Sequence, residues 1–152
     1  MFDLAAVQAA LAENRLDGWL LYDFRGLNVL ARRVVGLGGE AILSRRWFCF
    51  VPAKGEPKKL MHRIEPHALD HLPGTASLYL RWQELEAGVG ALVQGAKRVA
   101  MEYVPRNANP YVSRVDAGTI ELVRSFGVDI VSSGDLVQQF EATWDDEQWA
   151  SH

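Results

Sequence analysis

An internal disulfide is excluded at once, because the chain has one cysteine, Cys49, set inside the apolar run Phe48-Cys49-Phe50. A lone thiol in that setting reads as core, kept inert by burial, and fits a reducing, cytoplasmic home. Long apolar runs are missing too, and none reaches the length that crosses a bilayer. The opening Met1-Phe2-Asp3-Leu4 has no basic region ahead of a sustained apolar stretch, so no signal peptide is expected. An excess of positive charge is lacking: the net charge is −3, which argues against general nucleic-acid binding. There is no Gly-x-Ser-x-Gly elbow, no Cys-x-x-Cys and no phosphate loop, and Gly36-Leu37-Gly38-Gly39 does not follow dinucleotide-site spacing. Internal repeats and low-complexity segments are absent as well.

What is present is ordinary globular material. The 152 residues are 49% hydrophobic and 23% charged, enough for one domain with a core of real size. The charge is unevenly placed. Residues 25–63 hold nine Lys or Arg against Glu40 and Glu56, a local +7 beside −10 elsewhere. Such a division marks an anion-facing or self-complementary surface, unless it is merely solvated charge.

The stretch Trp19-Leu20-Leu21-Tyr22-Asp23-Phe24-Arg25-Gly26-Leu27-Asn28 organises the rest. Its apolar half predicts a buried central strand. Its polar half, Asp23, Arg25 and Asn28, falls where open α/β sheets meet ligands. The plainer reading is a strand-to-helix turn capped by Asp23 or Asn28. Around it, apolar spacing predicts helices from Asp3 to Asn14 and from Asn28 to Val35, the second with Leu27, Leu30, Ala31 and Val34 as its apolar side. Trp47 to Val51 and Lys58 to Arg63 form a hairpin across Pro52–Pro57 turn chemistry. Pro66 opens a short helix through Leu72. Strands follow at Ser77 to Leu80, Val99 to Glu102 and Val128 to Val131. Between them lie a helix from Trp82 to Gln94, weakened by Gly88 and Gly90, and one capped by Ser113 or Asp116 that ends near Gly127. Ser132 and Asp135 open a last helix with Val137, Phe140 and Trp144 inward. Alternating strands and helices with one hairpin predict an α/β fold: a mixed, mostly parallel sheet of about six strands with helices on both faces.

Three constellations carry possible chemistry. His67 and His71 stand i, i+4 beside Glu65 and Asp70, a metal-like cluster that lacks the His-Glu-x-x-His order. Asp23 and Glu102, both near strand ends, would make a carboxylate pair if the fold joined them. Arg45 and Arg46 precede Trp47 at the entrance to a strand, where a guanidinium can grip a carboxylate and the indole can stack. Trp144 and Trp149 leave apolar surface unclaimed on the last helix, so a covering partner or a continuing chain is expected.

In order, these segments resemble the amino-terminal domain of the creatinase/prolidase/aminopeptidase P family, the pita-bread metallopeptidases. The resemblance runs through Leu16-Asp-Gly-Trp-Leu-Leu-Tyr-Asp23, Asn28 at the place of the family's Asn-x-x-Tyr-Leu-Thr-Gly, Arg45-Arg-Trp-Phe-Cys-Phe-Val-Pro52, Arg98-Val-Ala-Met-Glu102 and Gly127-Val-Asp-Ile-Val131. Val29-Leu30-Ala31 replaces the usual Tyr-Leu-Thr, and Arg32-Arg33 is unusual there. The resemblance implies a three-layer α/β/α domain of ribonuclease-H-like topology over residues 1–133. Residues 134–152 become a linker helix toward a catalytic domain outside this sequence, with Trp144 and Trp149 as contacts to it. That domain supplies two Asp, two Glu and one His for two divalent metal ions. No positions here match those ligands, so this chain alone is expected to have no catalytic residues.

The resemblance further implies dimer contacts and a wall for the active site of the neighbouring subunit. Creatinase uses an Arg from a Phe-Gly-Arg-Lys-Tyr segment on the substrate carboxylate, and Leu43-Ser-Arg45-Arg46-Trp47 matches it at Arg45 and in aromatic character at Trp47. Asp23, Arg25, Asn28 and Arg46 are further candidates for that wall. The expectation is therefore the non-catalytic domain of a metal-dependent Xaa-Pro aminopeptidase- or dipeptidase-like hydrolase acting on a peptide or small carboxylate. The alternative is a stand-alone α/β module or pseudoenzyme that binds a small anion.

Overall fold

In the computed structural model, which describes residues 2–38 and 43–141, a six-stranded mixed sheet separates two layers of helices. The elements run α1 (Leu4–Glu13), β1 (Gly18–Asp23), α2 (Val29–Val34), β2 (Trp47–Pro52), β3 (Lys58–His62), β4 (Thr75–Tyr79), α3 (Trp82–Val93), β5 (Arg98–Met101), a 3-10 turn (Pro105–Asn107), α4 (Ala117–Arg124) and β6 (Asp129–Ser132). Residues 134–141 are again helical. The strand order is β4-β3-β2-β1-β5-β6. Pairing is antiparallel for β1–β2 and β2–β3 and parallel for β1–β5, β5–β6 and β3–β4.

Strand alternation divides the core into two. Trp19 and Leu21 of β1, with Trp47, Cys49 and Val51 of β2, face α1, α2 and the 134–141 helix, where Leu136 and Val137 are buried. Leu20, Tyr22, Phe48 and Phe50 face α3 and α4 through Leu85, Val89, Ile120 and Val123. All six residues of β1 are buried, as a strand covered on both faces requires. Trp19 and Trp47 are fully enclosed, each burial contributing on the order of 2–3 kcal/mol. Gly88 and Gly90, costly to a helix in isolation, have a packing reason. A Cβ at Gly88 would lie 2.8 Å from the Leu60 side chain, and one at Gly90 2.7 Å from Phe126.

The structure departs from the sequence reading of the elements at two places and decides between alternatives at a third. The segment from Pro66 to Leu72 is a run of turns, not a helix. Its main chain bonds three residues apart, Ala68 N to Glu65 O, Asp70 N to His67 O and Leu72 N to Leu69 O. The carbonyls of Leu69 and Leu72 also accept from buried Lys59, whose Nζ donates to them at 3.0 and 2.8 Å. Leu27 is 67% exposed rather than part of the apolar side of α2, because the chain is still in its turn there. Of the two capping candidates for α4, Asp116 takes the role and accepts from Thr119 N at 2.9 Å. Gly39, Trp144 and Trp149 lie outside the described residues.

Candidate functional site

The polar end of β1 is folded by its own side chains. Asp23 is fully buried, and its two carboxylate oxygens accept from Gly26 N and Asn28 N, each at 2.8 Å. Asn28 caps α2 by accepting from Ala31 N at 3.1 Å, while its amide nitrogen donates to Tyr22 O and to Glu102 Oε1, both at 2.8 Å. Glu102 Oε2 accepts from Trp19 Nε1 at 2.9 Å and Ser133 Oγ at 2.8 Å. The fold therefore does bring Asp23 and Glu102 into one network, bridged by Asn28. Burial pushes the Glu102 carboxyl up, against the pull of its three donors Trp19, Asn28 and Ser133. Arg32, unusual for the resemblance, serves this network. It lies 3.8 Å from Asp23 and donates to Gly38 O at 2.7 Å.

This buried acid cluster holds the Phe24–Leu27 loop, where Arg25 (φ 56) and Gly26 (φ 82) are both left-handed. A non-glycine residue in that region costs on the order of 1 kcal/mol and persists only where its surroundings impose it. The loop delivers Phe24 and Arg25 to an open cleft of about 560 Å3 at the carboxyl ends of β1, β3 and β4. Ser44, Arg45 and Arg46 enter from the start of β2, and Glu65 fixes their backbone by accepting from Ser44 N and Arg45 N, each at 2.9 Å. Tyr22, His62, Tyr79, Trp82, Asp116 and Thr119 complete the lining with Leu80.

Among the described residues the ion pairs are Arg32–Asp23, Arg33–Glu141 and His67–Asp70, so none engages Arg25, Arg45 or Arg46. Desolvation raises the Tyr22 and Tyr79 hydroxyls, partly offset by the Arg46 charge in both cases. Desolvation also pushes Asp116 up, but the Thr119 amide and hydroxyl and the Tyr22 hydroxyl outweigh it and leave the carboxyl below its usual range. The cleft can hold an anion against guanidinium groups, with exposed Phe24, Leu80 and Trp82 offering apolar contact.

Of the sequence candidates, Arg25, Arg45 and Arg46 meet in this cleft. Asp23 and Asn28 lie beneath it, buried and fully bonded. Trp47, 1% exposed, is on the opposite side of the sheet, packed with the α1 and α2 core. His67 pairs with Asp70 at 2.8 Å and His71 meets Val35 O at 2.7 Å, so the two imidazoles turn to different partners. Among the described residues no group of three or more His, Cys, Asp or Glu is placed to hold a metal ion. Sequence reasoning missed Tyr22, Tyr79, His62, Trp82 and Asp116 as lining. Each ends a strand or begins a helix, and that position is the signal that could have found them.

No protein-family model matches the chain, and no curated protein matches it. Solved structures do. A proline dipeptidase from Streptococcus pneumoniae superposes with TM-score 0.66 at 19% identity, covering 93% of this chain and 98% of that one. The creatinase/prolidase N-terminal domain of an X-Pro dipeptidase from Streptococcus pyogenes gives 0.66 at 13% identity, over 90% and 96%. The prolidase from Pyrococcus horikoshii gives 0.62 at 11% identity over 90% of this chain, which spans 34% of that longer one. At these identities the likeness is one of fold. The chain has the mixed six-stranded α/β fold of the creatinase/prolidase amino-terminal domain.

Proposed function

We propose that this chain is the amino-terminal, non-catalytic domain of a metal-dependent Xaa-Pro aminopeptidase- or dipeptidase-like hydrolase. The observation that carries the reading is the likeness, over 90% or more of the chain, to structures described as N-terminal domains of X-Pro dipeptidases. On this reading the two divalent ions belong to a catalytic domain that follows residues 134–152. Trp144 and Trp149 contact that domain. The protein works as a cytoplasmic homodimer in which this domain walls the active site of the neighbouring subunit. Arg45 approaches the carboxylate of a peptide or small-acid substrate, with Arg25 and Arg46 beside it. Asp23 and Asn28 act one step removed by shaping the loop that carries Arg25, and Trp47 by seating β2.

Reading the native frame past codon 152 tests this directly. It should continue for about 220–260 residues, within ordinary domain size, and supply carboxylate and histidine ligands. In that longer protein, Arg45→Ala should lower kcat/KM about tenfold or more, chiefly through KM, as loss of a charged substrate contact does. A stop codon directly after His152, peptide hydrolysis by the isolated chain, or unchanged kinetics in the variant would each count against the reading.

The gathering of Arg25, Arg45 and Arg46 in one cleft, none of them in an ion pair among the described residues, favours a second reading, a stand-alone module binding a small anion there. Titration with acetate and with phosphate, followed by NMR at the cleft residues, separates the two if the frame does stop.

A further inference from the structure

The helical segment 134–141 touches the buried acid network at both of its ends. At its start, fully buried Ser133 donates from Oγ to Glu102 Oε2 at 2.8 Å, and its N–H donates to Met101 O at 2.9 Å. At its far end the Phe140 ring lies 6.1 Å from that of Trp19, whose Nε1 donates to the same Glu102 oxygen at 2.9 Å. Glu141 meets Arg33 of α2 at 3.4 Å and accepts from the Tyr111 hydroxyl at 3.2 Å. Asn28, the cap of α2, donates to the other Glu102 oxygen. One chain of hydrogen bonds thus runs from Ser133 through Glu102, Asn28 and Asp23 to Gly26 N, in links of 2.8 Å each. Its four side chains are at most 1% exposed, so water has no access to replace a lost partner. Bonds in such a chain polarise one another, and the loss of one donor is felt at the next link.

We infer that Ser133 and Glu102 are positioning residues of the cleft, through which the 134–141 helix controls how the Phe24–Leu27 loop presents Arg25 to an anion. The loop needs support from outside itself, because Arg25 and Gly26 are both left-handed and Arg25 has no glycine freedom. Asp23 supplies that support by taking the Gly26 and Asn28 amides, and the Asn28 side chain is held by Tyr22 O and Glu102. Glu102 makes no ion pair among the described residues, so its donors Trp19, Asn28 and Ser133 fix it. Of these, Ser133 is the one that moves with the helix. Undocking residues 134–141 removes its hydroxyl and the Phe140 contact on Trp19 together, which leaves Asn28 to carry the carboxylate. The inference rests on the reading, shared by both accounts of the cleft, that Arg25 faces a bound anion. It adds a control: undocking the helix weakens the anion, and by linkage the anion tightens the helix.

NMR on the whole 152-residue chain tests it, with acetate as the anion and amide hydrogen exchange as the second readout. Ser133→Ala should speed exchange at Gly26 and Asn28 about tenfold or more relative to Leu20 and Leu21 in the sheet. It should also raise the acetate Kd about fivefold or more. Phe140→Ala loosens the far end of the helix without touching a bond of the network, and should act in the same direction. Leu92→Ala, a core truncation in α3, controls for lost stability and should leave the acetate Kd unchanged. In the unmodified chain, saturating acetate should slow exchange at Val137, whose N–H is bonded to Ser133 O. Exchange at Gly26 and Asn28 that stays with the sheet in both helix variants overturns the inference. So does an acetate Kd that shifts no more in them than in Leu92→Ala. If acetate binds equally to every variant, the inference falls and the anion reading stands. If the unmodified chain binds no acetate, both fall.

Discussion

Glu102 shows at the scale of one residue how burial and hydrogen bonding oppose each other. Three donors suit a carboxylate, yet full desolvation raises its pKa in the folded chain. A folded pKa above the unfolded one contributes stability that is complete below the unfolded value, ordinarily 4.5, and is lost as pH rises through the folded value. Asp116, with its depressed pKa, acts oppositely and withdraws stability as pH falls through its folded value, below the ordinary 3.8. The thermal midpoint should therefore rise as pH is lowered from neutrality toward the mid-acid range, then fall again. Glu102→Gln turns an amide group toward a site of donors and should cost about 1–3 kcal/mol in acid. Because it also removes a buried charge, that cost should shrink toward neutral pH, and the variant's midpoint-versus-pH curve should be flatter there. Parallel curves for the two proteins would remove Glu102 from the account.

At the scale of elements, two segments are decided by single contacts. Lys59 is 5% exposed and holds the 63–72 turns by two main-chain carbonyls. Lys59→Met keeps most of the side chain's apolar length but removes the Nζ donor from the Leu72 carbonyl and leaves the Leu69 carbonyl with the Leu72 amide alone. It should destabilise by about 2–3 kcal/mol, with hydrogen exchange accelerated first in that segment. Gly74 joins those turns to β4 with φ +104, and a Cβ there would lie 1.9 Å from Pro57 O. Gly74→Ala should lower stability by at least about 2 kcal/mol in denaturant unfolding, since strain and clash both act on backbone. Apolar and proline spacing describe residues 66–72 alone, whereas Lys59 and Gly74 tie them to the sheet.

For the whole molecule, the alternation of strands and helices with one hairpin was enough to foresee six strands and covered faces. It did not give the order β4-β3-β2-β1-β5-β6. That order is what gathers the ends of β1, β3 and β4 around one cleft. The Arg45→Ala kinetics belong at this scale, because they ask what the folded domain does for a substrate bound elsewhere in a longer protein.

By itself the sequence determined the strands and helices outside residues 66–72, since period is local, and it narrowed the caps that Asp3, Asn28 and Asp116 provide. It determined as well that Cys49 is inert, buried in β2 with its thiol pushed up to about 12. Only the tertiary structure decided which polar residues of one short stretch face solvent and which are entombed. Asp23, Arg25 and Asn28 look alike as a string. Glu102, 74 residues beyond Asn28 along the chain, draws Asn28 inward and turns Arg25 out. The choice rests on hydrogen bonds between distant strands, and no local pattern encodes those.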